Sequence, residues 1–244
     1  MALPAEIWSQ PPPLPRPEDA AVVHLVQAQV DRVRLRSFAS NAPVLIERIP
    51  PPLRVVGSGT DAVVVAHPEL PAHVFKVFAP ESLEALDQEQ LSYSLLGSSD
   101  HFATCFGRGE RHLVLSYEPG LTLYQCLEQG VPVPEQVILD VQAARAYARS
   151  RGLNPKDVHL HNVLVQDGRA KILDVSKYVA PGDEDRVWDH LAEGYRRFYP
   201  LIKGRRIPVW VIELAKRRYK AQPKEQFSLD LFGARMLRIL ALRP

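Results

Sequence analysis

The stretch Leu153 to Ser176 reads L-N-P-K-D-V-H-L-H-N-V-L-V-Q-D-G-R-A-K-I-L-D-V-S, and it constrains the fold more than any other part of the chain. Two short apolar runs, Val163 to Val165 and Lys171 to Leu173, flank the turn signal Gln166-Asp167-Gly168, so the pattern predicts a β-hairpin. A hairpin brings its outer ends together. Asp157 and Asn162 precede its first strand and Asp174 follows its second, so two carboxylates and an amide oxygen are expected to converge there. Such a hard-oxygen set suits Mg2+, which keeps waters and phosphate oxygens as its other ligands. The alternative is an ordinary polar hairpin with solvated acids.

Upstream, Val44 to Ile46, Leu53 to Val56, Ala62 to Ala66 and Val74 to Phe78 are short β-branched runs separated by Pro or Gly, which predicts an antiparallel sheet. In the last run Lys76 sits among apolar neighbours. A buried ammonium there needs a phosphate or a carboxylate, unless the strand is an edge with its lysine in water. His112 to Leu115 reads as a further strand. Helical spacing appears from Glu18 to about Arg36 through Val22, Leu25, Val26, Val30 and Val33, and from Glu81 to Leu96 through Leu83, Leu86, Tyr93 and Leu96. It recurs from Gln136 to Arg149, and from Asp183 to Tyr199 with Val187, Leu191, Tyr195 and Phe198 on one face. Residues 207 to 219 and 228 to 242 make two more helices. Residues 1 to 17 carry six prolines and read as an extended tail.

With these elements in view, the first stretch resembles the catalytic loop and metal-binding segment of the protein-kinase superfamily. Asp157 and Asn162 match D-x-x-x-x-N, and Asp174-Val175-Ser176 stands where a D-F-G triplet would. Of H-R-D only the aspartate is kept, in Pro155-Lys156-Asp157. His159 stands where protein kinases usually have Lys and where choline- and aminoglycoside-phosphotransferase-like enzymes have His. Gly57-Ser58-Gly59-Thr60-Asp61-Ala62 resembles the glycine-rich loop, with Ala62 at the third glycine and Val64 over an adenine, although a plain hairpin turn reads equally well. The resemblance implies Lys76 on the α/β-phosphates and a glutamate partner for it from the following helix. Glu89 is the choice, since Tyr93 and Leu96 continue its face, and Glu84 competes. Ser116-Tyr117-Glu118 resembles the hinge, with Leu115 as gatekeeper, backbone groups of 116 to 118 on adenine and Leu164 as the adenine floor. Asp185 or Asp189 stands for the aspartate that pins the catalytic loop, with a solvated helix acid an equal reading, and no A-P-E triplet follows.

What the resemblance implies is a two-lobed, α+β protein-kinase-like fold. The expected division is a tail over 1–17, a helix and linker over 18–43, a β-rich N-lobe over 44–118 and a reduced helical C-lobe over 119–244. The expected activity is ATP- and Mg2+-dependent transfer to a hydroxyl, with Asp157 taking the acceptor's proton and Asn162 and Asp174 holding Mg2+. The acceptor is expected to be a protein serine or threonine. A small-molecule kinase and a nucleotide-binding pseudokinase are the alternatives. Apolar content of 46% and charge of 24% are globular values. A net charge of +2 gives no reason to expect nucleic acid or membrane as partner, although basic residues outnumber acids from Lys203 onward. Cys105 and Cys126 have neither C-x-x-C nor paired-framework spacing and are expected to be reduced thiols in a cytoplasmic protein. No basic segment leads into an apolar one at the N-terminus, and no apolar run approaches the length of a membrane span. His159 and His161, two apart and without Cys, do not make a zinc site.

Overall fold

The computed structural model describes residues 26–38, 42–182, 186–222 and 227–240. The proline-rich tail and the start of the first helix lie outside them. Within the described residues that helix, α1, covers 26–30. Arg34-Leu35-Arg36, expected to continue it, is strand β1 (Arg34–Arg36), because only Leu35 of the three is buried and an exposed-buried-exposed alternation is a strand pattern. β1 pairs antiparallel with β2 (Leu45–Arg48), so the Val44 to Ile46 run is not a strand of the main sheet as expected.

The chain forms two compact units. The first comprises Met1–Glu118, Ala146–Pro155 and Asp174–Gly182, and the second Pro119–Arg145, Lys156–Leu173 and Asp183–Pro244. The first unit holds a five-stranded antiparallel sheet of β3 (Arg54–Ser58), β4 (Ala62–Ala66), β5 (His73–Phe78), β6 (Cys105–Arg108) and β7 (His112–Ser116), in the order β3-β4-β5-β7-β6. β5 is therefore central. Side chains alternate across it, and Phe75 and Val77 join Val63, Val65, Val26, Val30 and Leu35 in one core. Fully burying a side chain such as Phe75 contributes about 1.5–3 kcal/mol, which is ample to fix the register. Lys76 falls on the opposite face, toward α2 (Leu83–Leu96). α2 follows a single 3-10 turn at Pro80–Ser82 and buries Leu86, Glu89, Tyr93 and Leu96. Leu83, expected on that face, is 39% exposed, because it begins the helix.

The second unit pairs β8 (Leu121–Thr122) with β9 (Val163–Gln166) and β9 with β10 (Arg169–Ile172). The β9–β10 turn is Asp167-Gly168, with φ of 49° and 76°. Positive φ at both central residues is what an Asp-Gly hairpin turn supplies. α3 (Leu123–Gln129) starts on a capping box in which Gln125 N–H donates to Thr122 Oγ1 and Thr122 N–H to Gln125 Oε1. α4 (Glu135–Ser150) buries Val137, Val141, Ala144 and Ala148 as its spacing predicts, and its last turn belongs to the first unit. α5 (Val187–Ile202), α6 (Val209–Lys220) and α7 (Leu229–Ile239) complete the second unit. The deepest line of α5 is Trp188, Ala192 and Tyr199 rather than the expected Val187, Leu191 and Phe198, so the helix is rotated by about one residue from its most apolar face. No helix among the described residues is long and apolar enough to cross a membrane.

Candidate functional site

In the first unit Lys76 lies between two carboxylates. Its Nζ is 2.5 Å from Glu89 Oε2 and 3.1 Å from Asp174 Oδ2, and 5.5 Å from the centre of the Phe78 ring. Glu84 is exposed and accepts instead from Gln88. Register explains the first contact: Lys76 is central on β5, and Glu89 is one turn ahead of Tyr93 on the buried face of α2. Burial by itself would lower the lysine, but the Asp174 and Glu89 carboxylates outweigh it and hold the ammonium well above the usual lysine range. For Asp174, burial opposes ionisation, yet Lys76 and the Ser176 N–H, which donates to Oδ1 at 3.0 Å, draw the carboxyl down to about 2. Its side chain is still 34% exposed, which favours the anion further. Glu89 is 0% exposed and its Oε1 has no hydrogen-bond partner. Burial pushes it up to about 8 against the pull of Lys76. One ammonium cannot neutralise two anions, so Asp174 carries the charge and Glu89 is the weaker acid.

The expected glycine-rich loop joins β3 to β4. Neither Gly57 nor Gly59 has positive φ, and a Cβ on either would meet only ordinary contacts, at 3.6 Å from Val64 and 3.7 Å from the Ala62 carbonyl. The protein's own packing does not require glycine at these two positions. Gly59 N–H donates to Ala62 O, Thr60 Oγ1 donates to Asp61 Oδ2, and Ser82 Oγ donates to Asp61 Oδ1. Ser58 ends β3 and Val64 is half-buried on β4. In the expected hinge Leu115 is buried, and Ser116 and Tyr117 donate their N–H groups to the carbonyls of Thr104 and Ala72. Those two donors are committed within the unit. Ser116 Oγ also donates to Glu118 Oε1 at 2.5 Å.

The segment after Asp174 is tied into the same unit. Asn154 donates its N–H to Tyr178 O and its Nδ2 to Gly182 O, and Tyr178 is 1% exposed, edge-on to Phe102. No sequence signal marked these ties, because they join residues 24 and 28 positions apart with no shared periodicity.

In the second unit Asp157 has φ of 59°, a left-handed conformation rare for a residue with a Cβ and concentrated at functional loops. Asn162 Nδ2 donates to Asp157 O at 3.0 Å, and Leu173 N–H donates to Asn162 O at 2.8 Å, closing the hairpin one residue before Asp174. With its amide nitrogen used in this way, Asn162 has an oxygen to offer a cation. His161 N–H donates to His159 Nδ1, and His159 Nε2 lies 3.6 Å from Asp157 Oδ1. His161 stacks on Tyr124 at 4.1 Å. Leu164 is buried on β9 opposite Thr122. Asp189 accepts from Arg145 at 2.7 Å, and Asp185 lies outside the described residues.

No protein-family model matches the chain. Over 187 residues, 72% of this chain and 86% of the other, it is 30% identical to the Bacillus subtilis (strain 168) protein named "Putative serine/threonine-protein kinase YrzF". Among solved structures it is similar to two variants of the PknI kinase domain of Mycobacterium tuberculosis. A single mutant superposes with a TM-score of 0.45 at 20% identity, covering 83% of this chain and 99% of that one. A double mutant gives 0.48 at 21%, covering 81% and 85%.

Proposed function

The chain belongs to the protein-kinase-like superfamily, and from that premise we propose that it is an ATP- and Mg2+-dependent serine/threonine protein kinase. The observation that carries this reading is the Lys76 ammonium held at 2.5 Å by Glu89 and at 3.1 Å by Asp174. A lysine fixed on a central strand by a helix glutamate is positioned to offset phosphate charge, and positioning with electrostatics is most of what phosphoryl transfer asks of a protein.

When bound, Mg-ATP supplies the transferable γ-phosphoryl group and a cation that neutralises its charge. Asp174, an ionised and partly exposed carboxylate, and Asn162, with its oxygen to offer, fit a hard cation of this kind. Lys76 offsets α/β-phosphate charge and Glu89 keeps it in place. Gly57 to Thr60 leave the β3–β4 loop open to close backbone approach, and Val64, Leu115, Ser116 to Glu118 and Leu164 receive the base. Asp157 orients the acceptor hydroxyl and takes its proton. The acceptor O–H and the β–γ bridging P–O bond break, the acceptor O–P bond forms, and ADP leaves.

The test is incubation of the purified protein with labelled ATP and Mg2+, alone and with a generic protein acceptor, for wild type, Asp157→Asn and Asp174→Asn. Asp174→Asn should lose Mg2+-dependent nucleotide binding, because a neutral amide cannot balance the metal. Asp157→Asn should bind nucleotide and fail to transfer it. Transfer by Asp157→Asn within a few-fold of wild type would remove Asp157 from its role. A second reading, a small-molecule kinase, is favoured by His159 beside Asp157, and labelling of a small hydroxylated acceptor in place of protein would establish it.

A further inference from the structure

Resting on the phosphotransferase reading, we propose that α6 and the loop before it form the acceptor-docking surface, and that the acceptor is an acidic polypeptide segment. The packing places α6 directly against the loop that carries Asp157. Val211 and Ile212 on its inner face form a small core with Ile207, against which Leu160 and Tyr124 pack. Leu160 lies between His159 and His161 in sequence. Tyr124, on which His161 stacks, lies within the electrostatic reach of Glu213, and both Glu213 and Lys216 act electrostatically on His161. The outward side of α6 is thus continuous with the surface around Asp157 within one compact unit.

That surface is cationic. Residues 203–220 contain seven Lys or Arg and one acid, Glu213, which lies 3.7 Å from Lys216. Arg205, Arg206, Lys216, Arg217 and Lys220 are all exposed. Glu128 is the other acid acting on Tyr124, and these two carboxylates do not balance the cations. Helix-dipole complementarity explains cations in the last turn of α6, at Arg217, Arg218 and Lys220, but not Lys216 or the pair Arg205-Arg206. Trp210 adds an apolar contact, 59% exposed at the first turn.

The extent of the surface decides what kind of acceptor it fits. Twelve helical residues at about 1.5 Å each span about 18 Å, longer than a small metabolite and suited to an extended chain. Cations at both ends of it, Arg205 and Arg206 before the helix and Lys216, Arg217 and Lys220 in its second half, with the exposed Trp210 between, complement a segment bearing several carboxylates and an apolar residue. Complementary charge of this sort raises encounter rate and selects the partner.

The experiment uses the full chain and two synthetic peptides with one serine each, flanked by acids in one and by lysines in the other. Wild type should phosphorylate the acidic peptide at the lower KM, and the preference should weaken as salt is raised. Lys216→Glu with Arg217→Glu should raise KM for the acidic peptide about tenfold, equivalent to about 1.4 kcal/mol, with Mg-ATP binding unchanged. Arg205→Glu with Arg206→Glu probes the same surface from the loop, should α6 not tolerate the first pair. Equal use of the two peptides, preference for the basic one, or KM unmoved in both variants overturns the proposal. So does labelling of a small molecule alone, or binding of RNA at this surface with no peptide labelled. Failure of wild type to bind Mg-ATP at all would instead bring down the phosphotransferase reading, and this inference with it.

Discussion

Lys76 sits between two acids of unequal strength, and that inequality has measurable consequences. Replacing Lys76 by Met leaves Asp174 without its counter-charge, and Glu89→Gln weakens the contact that holds the ammonium in place, so transfer should fall about a hundredfold or more in either, about 2.7 kcal/mol at tenfold per 1.36 kcal/mol. Glu84→Gln should have no such effect, since Glu84 is exposed and pairs with Gln88; loss of rate in that variant alone would reassign the lysine's partner. A second consequence is read without substrate. Glu89 is pushed up to about 8 in the folded chain, above its ordinary 4.5. A carboxyl so raised contributes stability that is complete below about 4.5 and lost as pH rises through about 8. Urea unfolding of the nucleotide-free protein should therefore show wild type losing stability relative to Glu89→Gln between those limits. Parallel curves would mean that Glu89 is ionised throughout. Asp174 works in the opposite sense: drawn down to about 2, it contributes stability above its ordinary 3.8 that disappears only as pH falls through that depressed value.

Two glycines of the second unit show how differently one residue type can be required. At Gly168, φ is 76° and an added Cβ would meet Pro134 at an ordinary 3.6 Å, so Gly168→Ala should cost only the backbone penalty, about 1–2 kcal/mol. At Gly120 a Cβ would stand 2.4 Å from the Val165 carbonyl, so Gly120→Ala must push β9 aside, and its loss in chemical denaturation should exceed that of Gly168→Ala. Equal losses would show that β9 gives way freely. The β9–β10 turn was legible because Asp-Gly between two apolar runs is a strong local signal, β4 and β5 because each is a short β-branched run bounded by turn residues, and α4 because its helical spacing is unbroken. β6 was not legible. Cys105-Phe106-Gly107-Arg108 is half-buried without alternation and holds its place through a bulged pairing with β7. β1 was hidden because Val33 continues the helical spacing past the point where the backbone has already extended. Of the candidate site, Lys76 with Glu89 could be anticipated, since each follows from the face of its own element. The Lys76–Asp174 pair spans 98 residues, and Asp157 takes its left-handed conformation with no glycine or asparagine to announce it, so neither had a local signature.

For the chain as a whole, the short stretch after Asp174 bears on regulation. Its hydroxyls, Ser176 and Tyr178, are the only ones before residue 183. Tyr178 is buried, and Ser176 already uses its N–H to hold Asp174. Lys76 pairs with both carboxylates directly, through no third group. The protein should then be active without phosphorylation of this segment: Ser176→Ala with Tyr178→Phe, expressed where no other kinase can modify it, should transfer phosphate like wild type. An inactive double variant, with wild-type activity appearing only once either hydroxyl carries phosphate, would sink that expectation. The way Asn154 binds Tyr178 and Gly182 also bears on inheritance. The chain passes from one unit to the other after residues 118, 145, 155, 173 and 182, five crossings in all. A fragment ending at residue 118 would keep the five-stranded sheet yet lack Asp174, and with it one of the two counter-charges on Lys76. Neither unit corresponds to an unbroken stretch of coding sequence, so neither can be shuffled into another gene, or taken from one, without the other.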